Sequence, residues 1–148
     1  MRHYRGEVRI EAPAEQVWAI LVDKSRLHEW TPRSEFTEFS GPLDQVGTTY
    51  SDTTHLMGFG FKMTNEVVEV EPPRLYHEHS DDGPIDTVIR LEPDGDATRL
   101  LVECDYEIPG RLPGFLKDFI DSHMSQRFPR QMMQDLKTLA EAEVPARA

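Results

Sequence analysis

Histidine is the side chain best suited to moving protons near neutral pH. His77 and His79 lie two positions apart, so in an extended strand they share one face. His55 falls on a neighbouring predicted strand. Two histidines at that spacing can meet on one metal ion. No third ligand stands at a diagnostic spacing, however, and no zinc motif with a glutamate is present. No metal is therefore expected, and exposed or hydrogen-bonded strand histidines explain the pair. A second chemistry is proton abstraction beside a carbonyl, which needs a base near neutral pKa and a donor for the enolate oxygen. His77 is the candidate base, and Tyr106 or Arg90 the candidate donor. Tyr106 shares a strand face with Leu100, Val102 and Cys104 and is expected to point inward; an ordinary core tyrosine with its hydroxyl bonded is the simpler reading. Arg90 lies opposite Ile89 and Leu91 and is expected in solvent. Leu75 and Tyr76 compete for the inner face of their strand, so the facing of His77 stays open. Cys104, in an apolar face without a nearby histidine, reads as a buried, inert thiol. Gly58 and Gly60 do not form a phosphate loop, and no serine nucleophile elbow occurs.

Strands and turns must position these residues. His3 to Glu11 alternates, with Tyr4, Gly6, Val8 and Ile10 on one face, which predicts a half-buried strand. Pro13 and Glu15 suit the first turn of a short helix through Val17, Ile20 and Leu21. A second short helix runs through Leu27 and Trp30 and ends at Thr31-Pro32. Strands are predicted over 35–40, 47–56, 61–71, 75–80, 85–92 and 98–108, with a turn at 57–60 and a hairpin turn at 93–96. Leu112 to Glu143 then reads as one long helix. Ile120, Met124, Phe128, Met132 and Leu136 recur every four residues, and Leu139 follows, which stacks them on one face. Pro129 interrupts this stripe and has no N–H for the carbonyl of Ser125. A kink is expected there, or two helices meeting at Phe128-Pro129, with the hydrogen bonding broken from Ser125 to Pro129. Met124, Met132 and Met133 fill a core or form an adaptable wall for an apolar ligand.

Composition narrows the function. The 148 residues suit a single domain, 1–148, with enough chain for a real core. The 27 acidic and 16 basic residues give a net charge of −11, which argues against nucleic acid and anionic membrane as partners. A lone cysteine excludes an internal disulfide. The N-terminus lacks the apolar run of a signal peptide, and no stretch approaches the roughly 20 apolar residues that span a bilayer. A cytoplasmic monomer or homodimer, without stable membrane insertion, is the expectation.

Several segments together carry a resemblance. They are Val8 to Trp18, Leu27-His28-Glu29-Trp30, Val46-Gly47-Thr48, Glu66 to Leu75 and Leu136 to Glu141. In this order the chain resembles the START-like, or SRPBCC, superfamily, whose members include polyketide cyclase/dehydrase-like proteins, coenzyme Q-binding proteins, lipid-transfer domains and plant hormone receptors. The resemblance implies an α+β helix-grip fold: a curved antiparallel sheet of about seven strands wrapped around a long C-terminal helix, with two short helices after the first strand. It also implies an apolar cavity between sheet and helix. A small hydrophobic ligand (a lipid, polyketide or isoprenoid-like molecule) is the partner to expect, without a cofactor. Met57, Phe59, Phe61, Ile89, Leu91, Cys104, Tyr106, Met124, Phe128 and Met132 are the candidate lining, and the same residues could simply fill a core. The alternative is a polyketide cyclase or dehydratase using His77 and Tyr106 as its acid/base residues. A protein-interaction module is a third possibility. Fold analogy alone does not choose among them.

Overall fold

The computed structural model describes residues 2–31, 34–56, 58–80, 84–108, 110, 112–122 and 128–144; of Thr54, Leu56, Phe59, Phe61, Ile120 and Phe128 it describes the backbone alone. Strand β1 (Arg2–Ile10) leads into helix α1 (Ala14–Leu21), a single 3-10 turn (Lys24–Arg26) and helix α2 (Leu27–Trp30). Six strands follow: β2 (Ser34–Thr37), β3 (Thr49–Leu56), β4 (Phe59–Glu71), β5 (Leu75–Ser80), β6 (Ile85–Asp94) and β7 (Ala97–Tyr106). Helices α3 (Gly114–Ser122) and α4 (Phe128–Ala142) close the described chain.

The strands form one antiparallel, curved sheet in the order β1-β7-β6-β5-β4-β3-β2. Strand β2 pairs with β3 across the longer connection 38–48, and short turns dictate the order from β3 to β7, because neighbouring segments joined by a few residues pair antiparallel. Only β1 departs from it, crossing to pair with β7, Tyr4 opposite Cys104 and Ile10 opposite Thr98. Pro93 pairs with Thr98 and Asp94 with Ala97, leaving Gly95 at φ +62° in the tip of the hairpin, a conformation glycine adopts without a Cβ penalty.

Alternation decides which face is covered. Ile10, Leu91, Leu100 and Val102 bury their side chains with Trp18 and Leu21 of α1, Leu27 and Trp30 of α2, and Met133, Leu136 and Ala140 of α4. The last turns of α4 are also tied by polar bonds. Gln16 Nε2 donates to the Ala140 carbonyl at 2.9 Å, Lys137 Nζ to the Arg9 carbonyl at 2.9 Å, and the Glu11 N–H to Glu141 Oε2 at 2.8 Å. Carbonyls at a helix C-terminus lack the regular intrahelical partner; that of Ala140 accepts from the Glu143 N–H at 3.3 Å as well as from Gln16.

Of the two expectations for 112–143, a long kinked helix or two helices meeting at Phe128-Pro129, the second fits the described residues: they form α3 and α4, and α4 begins at Phe128. Pro129 therefore occupies the first turn of α4, where its missing N–H is not needed. Ser125 and its carbonyl lie outside the described residues. Phe59 and Gly60, expected in a turn, belong to β4, which starts directly after Gly58 at φ +80°.

Candidate functional site

Strand β5 carries the site. Its buried residues are Tyr76 and Ser80, and Glu78 lies between them on the same face. A carboxyl on the covered face of a sheet is unusual, because taking a charge out of water is costly unless partners compensate. The partners are two tyrosines. The Tyr76 hydroxyl donates to Glu78 Oε2 at 3.0 Å, and the Tyr50 hydroxyl, on β3, donates to the same oxygen. Among the described residues neither hydroxyl is shared with Oε1, and no lysine or arginine pairs with this carboxyl.

Packing fixes both hydroxyls. The Tyr50 ring stacks on Phe39 with centroids 5.4 Å apart and meets Phe36 at 6.1 Å. The Tyr76 ring meets Trp18 edge-on at 6.5 Å. Such ring pairs add stability beyond the area they bury, so the donors are held in place before anything binds. Glu78 keeps part of its surface accessible, yet burial is the largest influence on it and pushes its pKa up, against the two hydroxyls that pull it down. Burial and the adjacent carboxyl likewise raise both tyrosines.

The register extends this polar patch across the inner face. One row runs Tyr50, Asn65, Ser80, Ile85, Tyr106; the next runs Val67, Glu78, Thr87, Cys104, Tyr4. Asn65 Nδ2 donates to Asp52 Oδ2 at 2.9 Å. The Tyr106 hydroxyl donates to Asp121 Oδ1 of α3 at 3.0 Å, and burial followed by that carboxylate pushes its pKa up to about 12. Cys104 Sγ lies 3.7 Å from Thr87 Oγ1, and burial raises the thiol to about 11. A thiol held so far above neutral pH is a poor nucleophile.

His77 is not part of this face. It alternates with Glu78, pairs with Val88, and places Nε2 2.8 Å from Asp86 Oδ1 on the other side of the sheet; His79 Nδ1 lies 3.3 Å from the same oxygen. The expected pairing of His77 with Tyr106 in one acid/base site is corrected accordingly, because Tyr76 wins the inner face of β5 and alternation sends both histidines outward. His55 is exposed, 3.8 Å from Glu35. Arg90 is exposed. Among the described residues no group of three His, Cys, Asp or Glu side chains is arranged to hold a metal ion. Of the expected lining, Ile89 and Leu91 are buried in the packed core and Met132 packs against it half-buried. Cys104 and Tyr106 lie on the inner face. Met57 and Met124 fall outside the described residues, as do the side chains of Phe59, Phe61 and Phe128. Glu78, Tyr50 and Tyr76 were absent from the sequence-based candidates. The signal that could have found them is the alternation of Tyr76, Glu78 and Ser80, once Tyr76 is taken as inward.

Comparison with known proteins agrees with the fold. The family model described as polyketide cyclase / dehydrase and lipid transport matches residues 1–141. No curated protein matches the chain. Among solved structures, the Zhui aromatase/cyclase from Streptomyces sp. R1128 is 20% identical with a TM-score of 0.80, over 98% of this chain and 96% of that one. A protein of Thermus thermophilus is 20% identical with a TM-score of 0.78, over 95% of this chain and 98% of its own. A Chromobacterium violaceum protein is 20% identical with a TM-score of 0.68, over 95% and 99%. At such identities the likeness is one of fold. No helix among the described residues is long and apolar enough to cross a membrane.

Proposed function

The chain belongs to the polyketide cyclase / dehydrase and lipid transport family, and from that premise we propose that it binds a small hydrophobic molecule, of lipid, polyketide or isoprenoid type, between the inner face of the sheet and the C-terminal helices. The observation that carries this reading is Glu78. A side chain that only filled a core would be apolar, since an isolated carboxyl on that face weakens the fold. A few fixed polar groups in apolar surroundings are instead what orients a ligand. The two tyrosines that hold Oε2 leave the carboxyl positioned rather than neutralised.

Titration with the uncharged fluorescent probe N-phenyl-1-naphthylamine tests this. We expect saturable binding of one probe per chain in the micromolar range, roughly −8 kcal/mol, and retained apolar molecules in native mass spectra of gently purified protein. Absence of both would reject the reading.

The same carboxyl favours a second reading, a cyclase or dehydratase acting on a polyketide-like substrate. A base whose pKa is raised toward neutrality is what proton abstraction beside a carbonyl requires, and Glu78 is shifted in that direction. Glu78→Gln would then abolish turnover of such a substrate while probe binding persists. Retained turnover would remove Glu78 from the chemistry.

A further inference from the structure

We propose that Glu78 makes the site selective for uncharged apolar molecules that carry a hydroxyl, and against molecules of the same shape that carry a carboxylate or phosphate. The proposal deepens the binding reading above and rests on it.

Three carboxylates reach the covered side of the sheet from three different elements: Asp52 from β3, Glu78 from β5 and Asp121 from α3. Each accepts from an uncharged donor there, Asn65, the tyrosines 50 and 76, and Tyr106 respectively. The charged groups that bear on Glu78 from its surroundings are Asp52, which opposes its ionisation, and His77, which favours it from the opposite face of the sheet. Arg2 lies 3.6 Å from Asp121, and its side chain is 63% exposed, at the edge of the sheet rather than within it. An anionic head group brought to Glu78 would place two like charges in a poorly solvated place or force one of them to take up a proton. A hydroxyl meets neither obstacle, because it can donate to Oε1, the oxygen the tyrosines leave unused.

Ser80 points to the same ligand chemistry independently. It is 1% exposed, on the same face two residues along β5, and its Oγ has no hydrogen-bond partner among the described residues. Buried hydroxyls are nearly always paired. An unpaired O–H donor beside a carboxyl acceptor suits a ligand oxygen that both accepts and donates, which a hydroxyl does and a carboxylate does not.

The test compares 2-naphthol with 2-naphthoate at neutral pH by titration calorimetry, with wild type and Glu78→Gln. The two probes share a ring system and differ in the charge of the head group. In wild type, 2-naphthol should bind roughly tenfold or more tightly than 2-naphthoate. In Glu78→Gln the ratio should fall to within about threefold, chiefly because 2-naphthoate gains. Equal wild-type affinities, or a ratio unchanged by the substitution, would overturn the selectivity and leave the binding reading standing. If neither probe binds, and naphthalene also fails to bind, the binding reading falls and the selectivity with it. Should Glu78→Gln not fold, Glu78→Leu serves the same comparison, and the wild-type ratio is decisive by itself.

Discussion

A carboxyl on the covered side of a sheet leaves a trace in the pH dependence of stability. Burial raises the pKa of Glu78 above the ordinary glutamate value. Between the ordinary value and the raised one, the folded chain therefore holds a proton that the unfolded chain has released. Stability falls as pH rises through that window, is free of this penalty below it, and bears all of it above. Glu78→Gln removes the titration and leaves an acceptor for the two tyrosine hydroxyls. The variant should melt higher than wild type at neutral pH, and the gap should close as pH falls through the window; thermal unfolding followed by circular dichroism measures both. Parallel melting curves at all pH values would show that burial does not shift this carboxyl. The sequence hid the group for a simple reason. Tyr76-His77-Glu78-His79 offers one apolar residue in four, and a glutamate in such a run reads as solvated. Tyr50 compensates it from a distant segment, held there by Phe36 and Phe39, which no local pattern reveals.

Helix α4 shows how unequally an element is held along its length. Leu136 is 2% exposed and packs into the core with Ala140, while Met132, one turn earlier, is half-buried. Deleting a well-packed leucine leaves a cavity that the surroundings do not fill, so Leu136→Ala should cost about 2–5 kcal/mol. Met132→Ala should cost less, about 1–2 kcal/mol, because its site is partly open and can relax. Urea unfolding of the two variants distinguishes them, and equal losses would contradict the packing described. The four-residue periodicity announced Leu136 but centred the face of α4 on Met132, where Met133 and Ala140 are the buried residues; the alternation of 98–108 announced β7. The division between α3 and α4 was only half legible, since Pro129 fits a kink and a helix start equally well. The inward set of β4 was obscured by an irregularity. Its register shifts between Val67 and Glu69, so Val68 and Glu69 are both exposed between Val67 and Val70, which pair with Glu78 and Tyr76, and plain alternation fails there.

At the scale of the whole molecule, 27 acidic residues face 16 basic ones, and surface cations commonly serve more than one acid. Arg9 lies between Glu11 and Asp94, Arg99 between Glu7 and Glu92, and Arg26 between Glu29 and Glu143. Exposed pairs of this kind contribute at most about 1 kcal/mol each, and salt weakens them. Salt also weakens the repulsion among the surplus acids, which opposes the compact state. The two effects have opposite signs, and the surplus decides between them: once the cations are shared, a net charge of −11 remains, and compaction brings those charges together. Raising the ionic strength from about 0.01 M to about 0.15 M shortens the screening length from about 30 Å to about 8 Å, well below the width of a domain this size. Repulsion across the molecule is then largely removed, while pairs in direct contact lose only part of their attraction. We expect the melting temperature to rise by about 2–4 °C over that range, the response of a domain of this length to roughly 1 kcal/mol. A fall over the same range in sodium chloride would mean that the shared arginine pairs, not the acidic surplus, govern how this surface responds to salt.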